Sequence, residues 1–530
     1  MKIADPLQDH SHVRHCLTVG GKVQGVGFRP FVYHIATELG LAGGVRNTAR
    51  GVVIEIEGPE HTLNQFLCRL NGELPPHATI QTLEQQTLPT RGKRQPFQIW
   101  SSEETEESPG VEILPDLATC SDCLQDILST GNRRYQYPFS NCTHCGPRFS
   151  IIRGLPYDRQ RTTMAAFDLC PNCRGEYTNP GDRRFHAQPN ACSCCGPRLE
   201  FWGAQGCQEE NPIGAAAAHL HTGKIIALKG LGGFQLLVDA RNFAAVARLR
   251  WRKGRPDKPL ALMYPNLEQI SDDCRVSPAA ARVLSSAQDP IVLLPKRSEE
   301  SSLASNIAPN MNHLGVMLPT TPLHHLLFQQ CPFPIVATSG NLSGEPIYTD
   351  EQAARQQLAT VADGFLIHNR PIQRPVDDAV VQLVQDQPQL LRHARGYAPQ
   401  VLPLSSPVAP DTCILALGAH LKNTIALSLG NQIVLSQHIG DLDTRQARKR
   451  LRQTVADFLS LYHCQPTALA CDLHPDYSST YLGQTLASLW DIPLIPVQHH
   501  YAHVLAAMAE HQLQAPVLGI TWDGTGYGLD

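Results

Sequence analysis

Along the first hundred residues the apolar positions change period several times. Val13, His15, Leu17 and Val19 alternate with Arg14, Cys16 and Thr18, the period of a half-buried strand. Val32, Ile35, Ala36 and Leu39 then recur at helical spacing, with Pro30 at the expected helix start and Gly40 as the stop. Strand-like segments follow at 45–48 and 52–57, a helix carries Leu63, Phe66, Leu67 and Leu70 on one side, and a last strand is expected near 94–100. The order βαββαβ over residues 13–100 is that of a ferredoxin-like α+β domain. Farther on, an alanine-rich helix (215–218) precedes the apolar strand Ile225–Leu228. Strands return at 414–418 and 424–429, and Val517–Trp522 reads as another.

Composition sets the scale of this architecture. At roughly 150 residues per domain, 530 residues make three or four domains. Hydrophobic residues are 42% and charged residues 17%, enough to build cores, so global disorder is excluded. A net charge of −4 argues against a nucleic-acid partner. No run reaches the roughly 18 apolar residues of a membrane span. The opening stretch is polar and mixed in charge, unlike a signal peptide, so the expected location is cytoplasmic.

Eight of the seventeen cysteines form a tandem repeat. Cys120, Cys123, Cys142 and Cys145 recur fifty residues later as Cys170, Cys173, Cys192 and Cys195, and Gly146-Pro147-Arg148 recurs as Gly196-Pro197-Arg198. Two facing CxxC pairs give the closed thiolate tetrahedron of structural zinc, so residues 111–200 are expected to be two zinc modules, each held by four cysteines. Redox-active CxxC pairs are the competing reading. Cys194 adjoins Cys195, and the repeat register selects Cys195. The acidic stretch 101–110 reads as a linker.

Between the first strand and helix lies Gly20-Gly21-Lys22-Val23-Gln24-Gly25-Val26-Gly27-Phe28-Arg29. A glycine-rich loop entering a helix aims backbone N–H groups at an anion, and Arg29 adds a bidentate clamp. The alternative is a plain tight turn. With Asn47 before Gly51-x-Val53, these residues resemble the acylphosphatase signature over the whole domain. The resemblance implies that Gln24, Gly25, Val26, Gly27 and Phe28 form the phosphate loop, that Arg29 holds the phosphoryl group and that Asn47 positions the attacking water.

Residues 208–400 carry a second set of anion-binding candidates. Lys229 leads into Gly230-Leu231-Gly232-Gly233; Lys253, Arg255 and Lys258 cluster between prolines; Thr338, Ser339 and Asn341 sit on a glycine-flanked turn. A charge run is also what a solvated face looks like. The pairs Lys253-x-Arg255 and Ser339-x-Asn341 resemble the YrdC-like α/β domain, as do Asp377-Asp378 and Arg395-Gly396-Tyr397. That resemblance implies ATP, with Mg, and an acyl-adenylate product. His324 and His325 are expected to serve packing or substrate contact in mid-helix.

In residues 404–530, His499 and His503 are four apart, and Asp523 follows the strand ending at Trp522. Two His and an Asp suit Fe or Zn. The segment resembles the actin-like (ASKHA) domain of the TsaD family, which assigns all three as ligands. An actin-like fold has two lobes and the chain stops at Asp530, so this domain is expected to be incomplete.

The series is multidomain α+β and α/β: an acylphosphatase-like domain, two zinc modules, a YrdC-like domain and a partial TsaD-like domain. It resembles the hydrogenase-maturation carbamoyltransferases of the HypF family, with Thr320, Ala379 and His393 where Tyr, Ser and Arg are expected. The resemblance implies cleavage of carbamoyl phosphate, adenylation of the carbamate by ATP, and carbamoyl transfer to the C-terminal Cys of HypE as precursor of the iron cyanide ligands. Two readings compete: a threonylcarbamoyladenosine synthase acting in tRNA modification, and a zinc-finger scaffold with inactive modules.

Overall fold

A computed structural model describes residues 12–528 apart from 49–50, 93–94, 103–111, 205, 298–300, 405–408, 410–411 and 525. Most of the expected linker at 101–110 lies outside the described residues. Two compact units emerge.

The first unit comprises Met1–Leu114, Asn141–His144 and Ile152–Asn190. Its sheet contains β1 (His12–Lys22), β2 (Ala42–Thr48), β3 (Gly51–Pro59), β4 (Thr79–Leu88) and a short β5 (Gln98–Ile99), in the order β4-β1-β3-β2-β5. Helices α1 (Phe28–Glu38) and α2 (Glu60–Gly72) bury Val32, Ile35 and Ala36, and Leu63, Phe66 and Leu70. The ferredoxin-like order therefore holds, with two corrections. The long fourth strand is at 79–88, whereas the 94–100 segment supplies only the two residues of β5. β4 is an edge strand with most side chains exposed, so it shows no hydrophobic alternation to read. Pro30 is the third helical residue, behind a Gly27 cap in the left-handed region (φ 77°). That position is among the first four amides, which have no partner within the helix, so proline sacrifices nothing there. Gly40 (φ 64°) does end the turn, with Leu41 N–H bonded back to Ala36 O at 2.9 Å.

The second unit comprises Pro115–Ser140, Cys145–Ile151 and Ala191–Asp530. Among the described residues it holds an eleven-stranded and a six-stranded sheet. Ile226–Lys229 and Phe234–Asp239, an antiparallel pair, sit inside the larger sheet and are fully buried on both faces. Helices Phe243–Lys253, Pro278–Leu284 and Pro322–Gln330 belong to the same domain, whose core includes Val246, Leu249 and Leu284. In the smaller sheet, Ile414–Ala416 runs parallel to Ala468–Asp472, which in turn runs parallel to Leu494–Val497. Cys413 and Cys464 are joined by a disulfide, a pair outside the CxxC pattern.

The fifty-residue repeat is structural as well. Short helices Ser121–Leu128 and Pro171–Thr178 each start directly after a repeat cysteine, Cys120 and Cys170. Buried Arg134 donates to Ala191 O, and Arg184, fifty residues on, donates to Asn141 O, each at 3.0 Å. No helix among the described residues is long and apolar enough to cross a membrane.

Candidate functional site

The sequence candidates gather into five places. At the first, the loop after β1 bends through Gly25 and Gly27 at positive φ (76° and 77°) and delivers Arg29 into the first turn of α1. A Cβ on Gly27 would lie 3.2 Å from Thr143 Oγ1, so the loop is closely covered as well as left-handed. Asn47, near the end of β2, is almost fully buried. Its Nδ2 faces Tyr157 O at 3.5 Å, and its Oδ1 has no hydrogen-bond partner among the described residues. A buried amide oxygen left in this state is an acceptor for a bound group such as a water.

Gln24 braces this arrangement. Its Nε2 donates to Thr48 O (2.8 Å) and Gly51 O (2.9 Å), and its Oε1 accepts from Tyr157 N–H at 2.9 Å. Arg29 Nη2 pairs with Asp158 Oδ1 at 3.0 Å, so a carboxylate oxygen stands where an anion would meet the guanidinium. His186 is neutral here: burial and the charge of Arg29 push it down to about 3. Tyr157, Asp158 and His186 come from the finger region, more than a hundred residues downstream, and no local motif marks them.

Three side-chain groups could each hold a metal ion. Cys120, Cys123, Cys142 and Cys145 bring their Sγ atoms within 4.8 Å of one another, and so do Cys170, Cys173, Cys192 and Cys195. Cys192 and Cys195 are 3.8 Å apart at sulfur. A zinc tetrahedron with bonds of about 2.3 Å has edges of about 3.8 Å, so the thiols fit the ion. Cys194 is exposed and belongs to neither cluster.

His499, His503 and Asp523 also converge. Asp523 Oδ2 lies 3.1 Å from His499 Nε2 and 3.5 Å from His503 Nε2. Ligands about 2.1 Å from a common ion are separated by roughly 3.0–3.4 Å, so these three fit a divalent metal. The other ring nitrogen of His499 is 2.6 Å from Asp472 Oδ2, an orienting partner that the sequence did not reveal.

The fifth place is a cavity of about 180 Å³ in the larger α/β domain. The loop Gly230–Gly233 lines it with Arg255, Thr338 and Ser339 among the candidates, and with Asp377, Asp378, Arg392 and Arg395. Gly232 is needed because a Cβ there would lie 2.2 Å from Val376 O. Lys253 and Asn341 stand behind this lining. Lys253 Nζ donates to Ser339 O and Asn341 O (2.6 Å each) and to Asn341 Oδ1 (2.8 Å), while Ser339 Oγ also donates to Asn341 Oδ1 at 2.7 Å. Burial, followed by the charge of Arg255, pushes Lys253 down to about 7.

Two lysines are placed elsewhere. Lys229 turns to Glu351, His368 O (3.1 Å) and Arg370 O (3.0 Å), because a buried ammonium takes the oxygens closest to it. Lys258 is exposed and does not line the cavity. His324 lies in the first turn of its helix, and not in mid-helix as expected, and it does line the cavity.

Four family models match the chain. They are acylphosphatase (16–99), the HypF finger (119–152 and 169–202), a Sua5–YciO–YrdC model described as telomere recombination (218–394), and the HypF Kae1-like domain (409–510). The chain is 46% identical to the carbamoyltransferase HypF of Rhodobacter capsulatus, over 97% of its own length and 68% of the relative's. The chain belongs to the HypF family. Against the HypF of Synechocystis sp. the identity is 50%, over 97% of this chain and 66% of the relative. The chain thus spans about two thirds of the length of its curated relatives. A crystal structure of full-length HypF in a phosphate- and nucleotide-bound form superimposes with a TM-score of 0.94 and 43% identity, covering 99% of this chain and 68% of that one. The fold class expected from the sequence is thereby established.

Proposed function

We propose that this chain carries the carbamoyl-activating reactions of a hydrogenase-maturation carbamoyltransferase. The observation that supports it best is the presence, on one chain, of a complete acylphosphatase cradle and a cavity of the YrdC type. In the first reaction, carbamoyl phosphate enters with its phosphoryl oxygens on Arg29 and the amides of Gln24–Phe28. Water held by Asn47 Oδ1 attacks phosphorus, and the bond to the carbamoyl oxygen breaks. The products are carbamate, phosphate and a proton. Asn is suited to this role, since a neutral amide orients water without repelling the anion.

In the second reaction a carbamate oxygen attacks the α-phosphorus of Mg-bound ATP, giving carbamoyl-AMP and pyrophosphate. Arg255, Thr338 and Ser339 line the cavity that would hold these reactants, and Lys253 acts through Asn341 and the 338–341 turn. The acceptor proposed for the family's last step is the C-terminal Cys of HypE, whose thiolate displaces AMP. His499, His503 and Asp523 would hold Fe or Zn, which would supply a Lewis acid beside the transferred group. A threonylcarbamoyladenosine role for tRNA leaves the acylphosphatase cradle without a task, and an inactive scaffold leaves Arg29, Asn47 and the cavity without one.

Arg29→Ala tests the coupling. It should abolish phosphate release from carbamoyl phosphate and the AMP formation that depends on it. Ammonium bicarbonate, which generates carbamate in solution, should restore AMP formation. Unchanged phosphate release in Arg29→Ala would overturn the first step.

A further inference from the structure

One side chain in the cavity is accounted for neither by packing nor by phosphate binding. His324 is the third residue of the helix Pro322–Gln330, where Thr321 Oγ1 caps its N–H at 3.2 Å. It is 3% exposed and lines the cavity with Thr320, Asp378 and Arg395. Neither of its ring nitrogens has a hydrogen-bond partner among the described residues. The nearby charges are already engaged: Arg395 donates to Asp378 Oδ1 at 2.9 Å and to Asp289 O at 2.7 Å, and Gln235 donates to Asp378 Oδ2 at 2.9 Å.

An imidazole buried in this way carries the full desolvation cost of both nitrogens, a cost that leucine would avoid at nearly the same volume. Burial pushes its pKa down to about 3, so the ring is neutral, with one N–H donor and one bare nitrogen acceptor. A ligand that satisfies both must itself offer an acceptor and a donor. Carboxylates such as formate offer acceptors alone, whereas carbamate presents carboxylate oxygens together with an N–H2 group. His324, Thr320 and Arg395 are each 3% exposed, while Arg255 and Ser339 are half-buried. The buried group suits a small reactant, and the half-buried residues leave room for the bulk of a nucleotide to reach solvent.

We propose that His324 is the residue that recognises the carbamoyl amino group, its bare ring nitrogen accepting an N–H from carbamate as the adenylate forms. The proposal rests on the carbamoyl-activating reading above. His324→Leu and His324→Asn test it in the full chain, with carbamate supplied as ammonium bicarbonate. His324→Leu should unfold at the same temperature as the parent or higher and keep phosphate release from carbamoyl phosphate. Its KM for carbamate in AMP formation should rise on the order of tenfold, with KM for ATP held within about twofold. His324→Asn, which retains a donor and an acceptor, should recover part of the loss. Unchanged kinetics in a folded His324→Leu overturn the proposal.

If His324→Leu fails to fold, ring-15N histidine spectra of the parent protein decide, with the His324 signal assigned by its loss in His324→Asn. That signal should move with ammonium bicarbonate plus a non-hydrolysable ATP analogue and stay fixed with sodium formate. No movement, or equal movement with formate, overturns the proposal. Should the parent protein show no carbamoyl-phosphate-dependent AMP formation, the functional reading fails, and the spectra still judge His324 separately.

Discussion

Asp158 pairs with the guanidinium proposed to receive the phosphoryl group, and its removal has a calculable effect. Arg29 Nη2 and Asp158 Oδ1 are 3.0 Å apart, with side chains 8% and 27% exposed. Unit charges about 4 Å apart interact by roughly 4 kcal/mol at an effective dielectric constant near 20. The partial exposure of Asp158 lets water and salt screen the pair, which leaves about 1–2 kcal/mol. An incoming phosphoryl dianion has to give up that amount. Asp158→Asn keeps the shape of the side chain and removes its charge. Phosphate affinity should therefore tighten about 5–30-fold, because every 1.4 kcal/mol is tenfold. Titration calorimetry with inorganic phosphate reads this directly, and KM for carbamoyl phosphate should fall in parallel. The gain should shrink as salt is raised. Phosphate affinity that is unchanged or weaker in a variant with the parent's melting temperature would refute the argument.

Three further outcomes follow from the same geometry. Metal analysis should find about two tightly held zinc ions per chain, and Cys123→Ser or Cys173→Ser should each remove about one and lower the melting temperature, whereas a zinc content near zero contradicts the assignment. Asp472→Asn should weaken zinc or iron(II) binding at His499, His503 and Asp523 by about 10–100-fold, measured by chelator competition, and an unchanged affinity would deny Asp472 its orienting role. Lys253, pushed down to about 7, is mostly neutral about one pH unit higher, and a triphosphate bound in the cavity that Ser339 lines would favour the ammonium form. ATP binding at that pH should therefore take up as much as about one proton, seen by calorimetry in two buffers of different ionisation enthalpy, and Lys253→Met should abolish the uptake.

What the sequence disclosed was local in the chain. The cysteine repeat, the glycine loop ahead of Arg29 and the His499–His503 spacing are short patterns: the cysteine sulfurs cluster, Arg29 sits in the first turn of α1, and Asp523 approaches the His pair although Val517–Trp522 forms no strand. What stayed hidden depends on distant segments. Asp158, Tyr157 and His186 reach the cradle from the finger region, and Asp472 reaches His499 across 27 residues from the end of a parallel strand. Lys229 shows the converse: its place before a glycine loop suggested phosphate, yet three oxygens packed around its ammonium hold it away from the cavity. β4 escaped notice because an exposed edge strand carries no alternation. The leucines around His324 point to packing or contact, whereas ring nitrogens without a partner among the described residues are visible only in the folded cavity.

The cradle and the cavity are proposed to serve one pathway. The most direct measurement is AMP and pyrophosphate release from ATP, with carbamoyl phosphate in one reaction and threonine plus bicarbonate in another. Release is expected with carbamoyl phosphate, lost in Arg29→Ala and recovered with ammonium bicarbonate. Release that requires threonine and bicarbonate, and ignores carbamoyl phosphate, would contradict it.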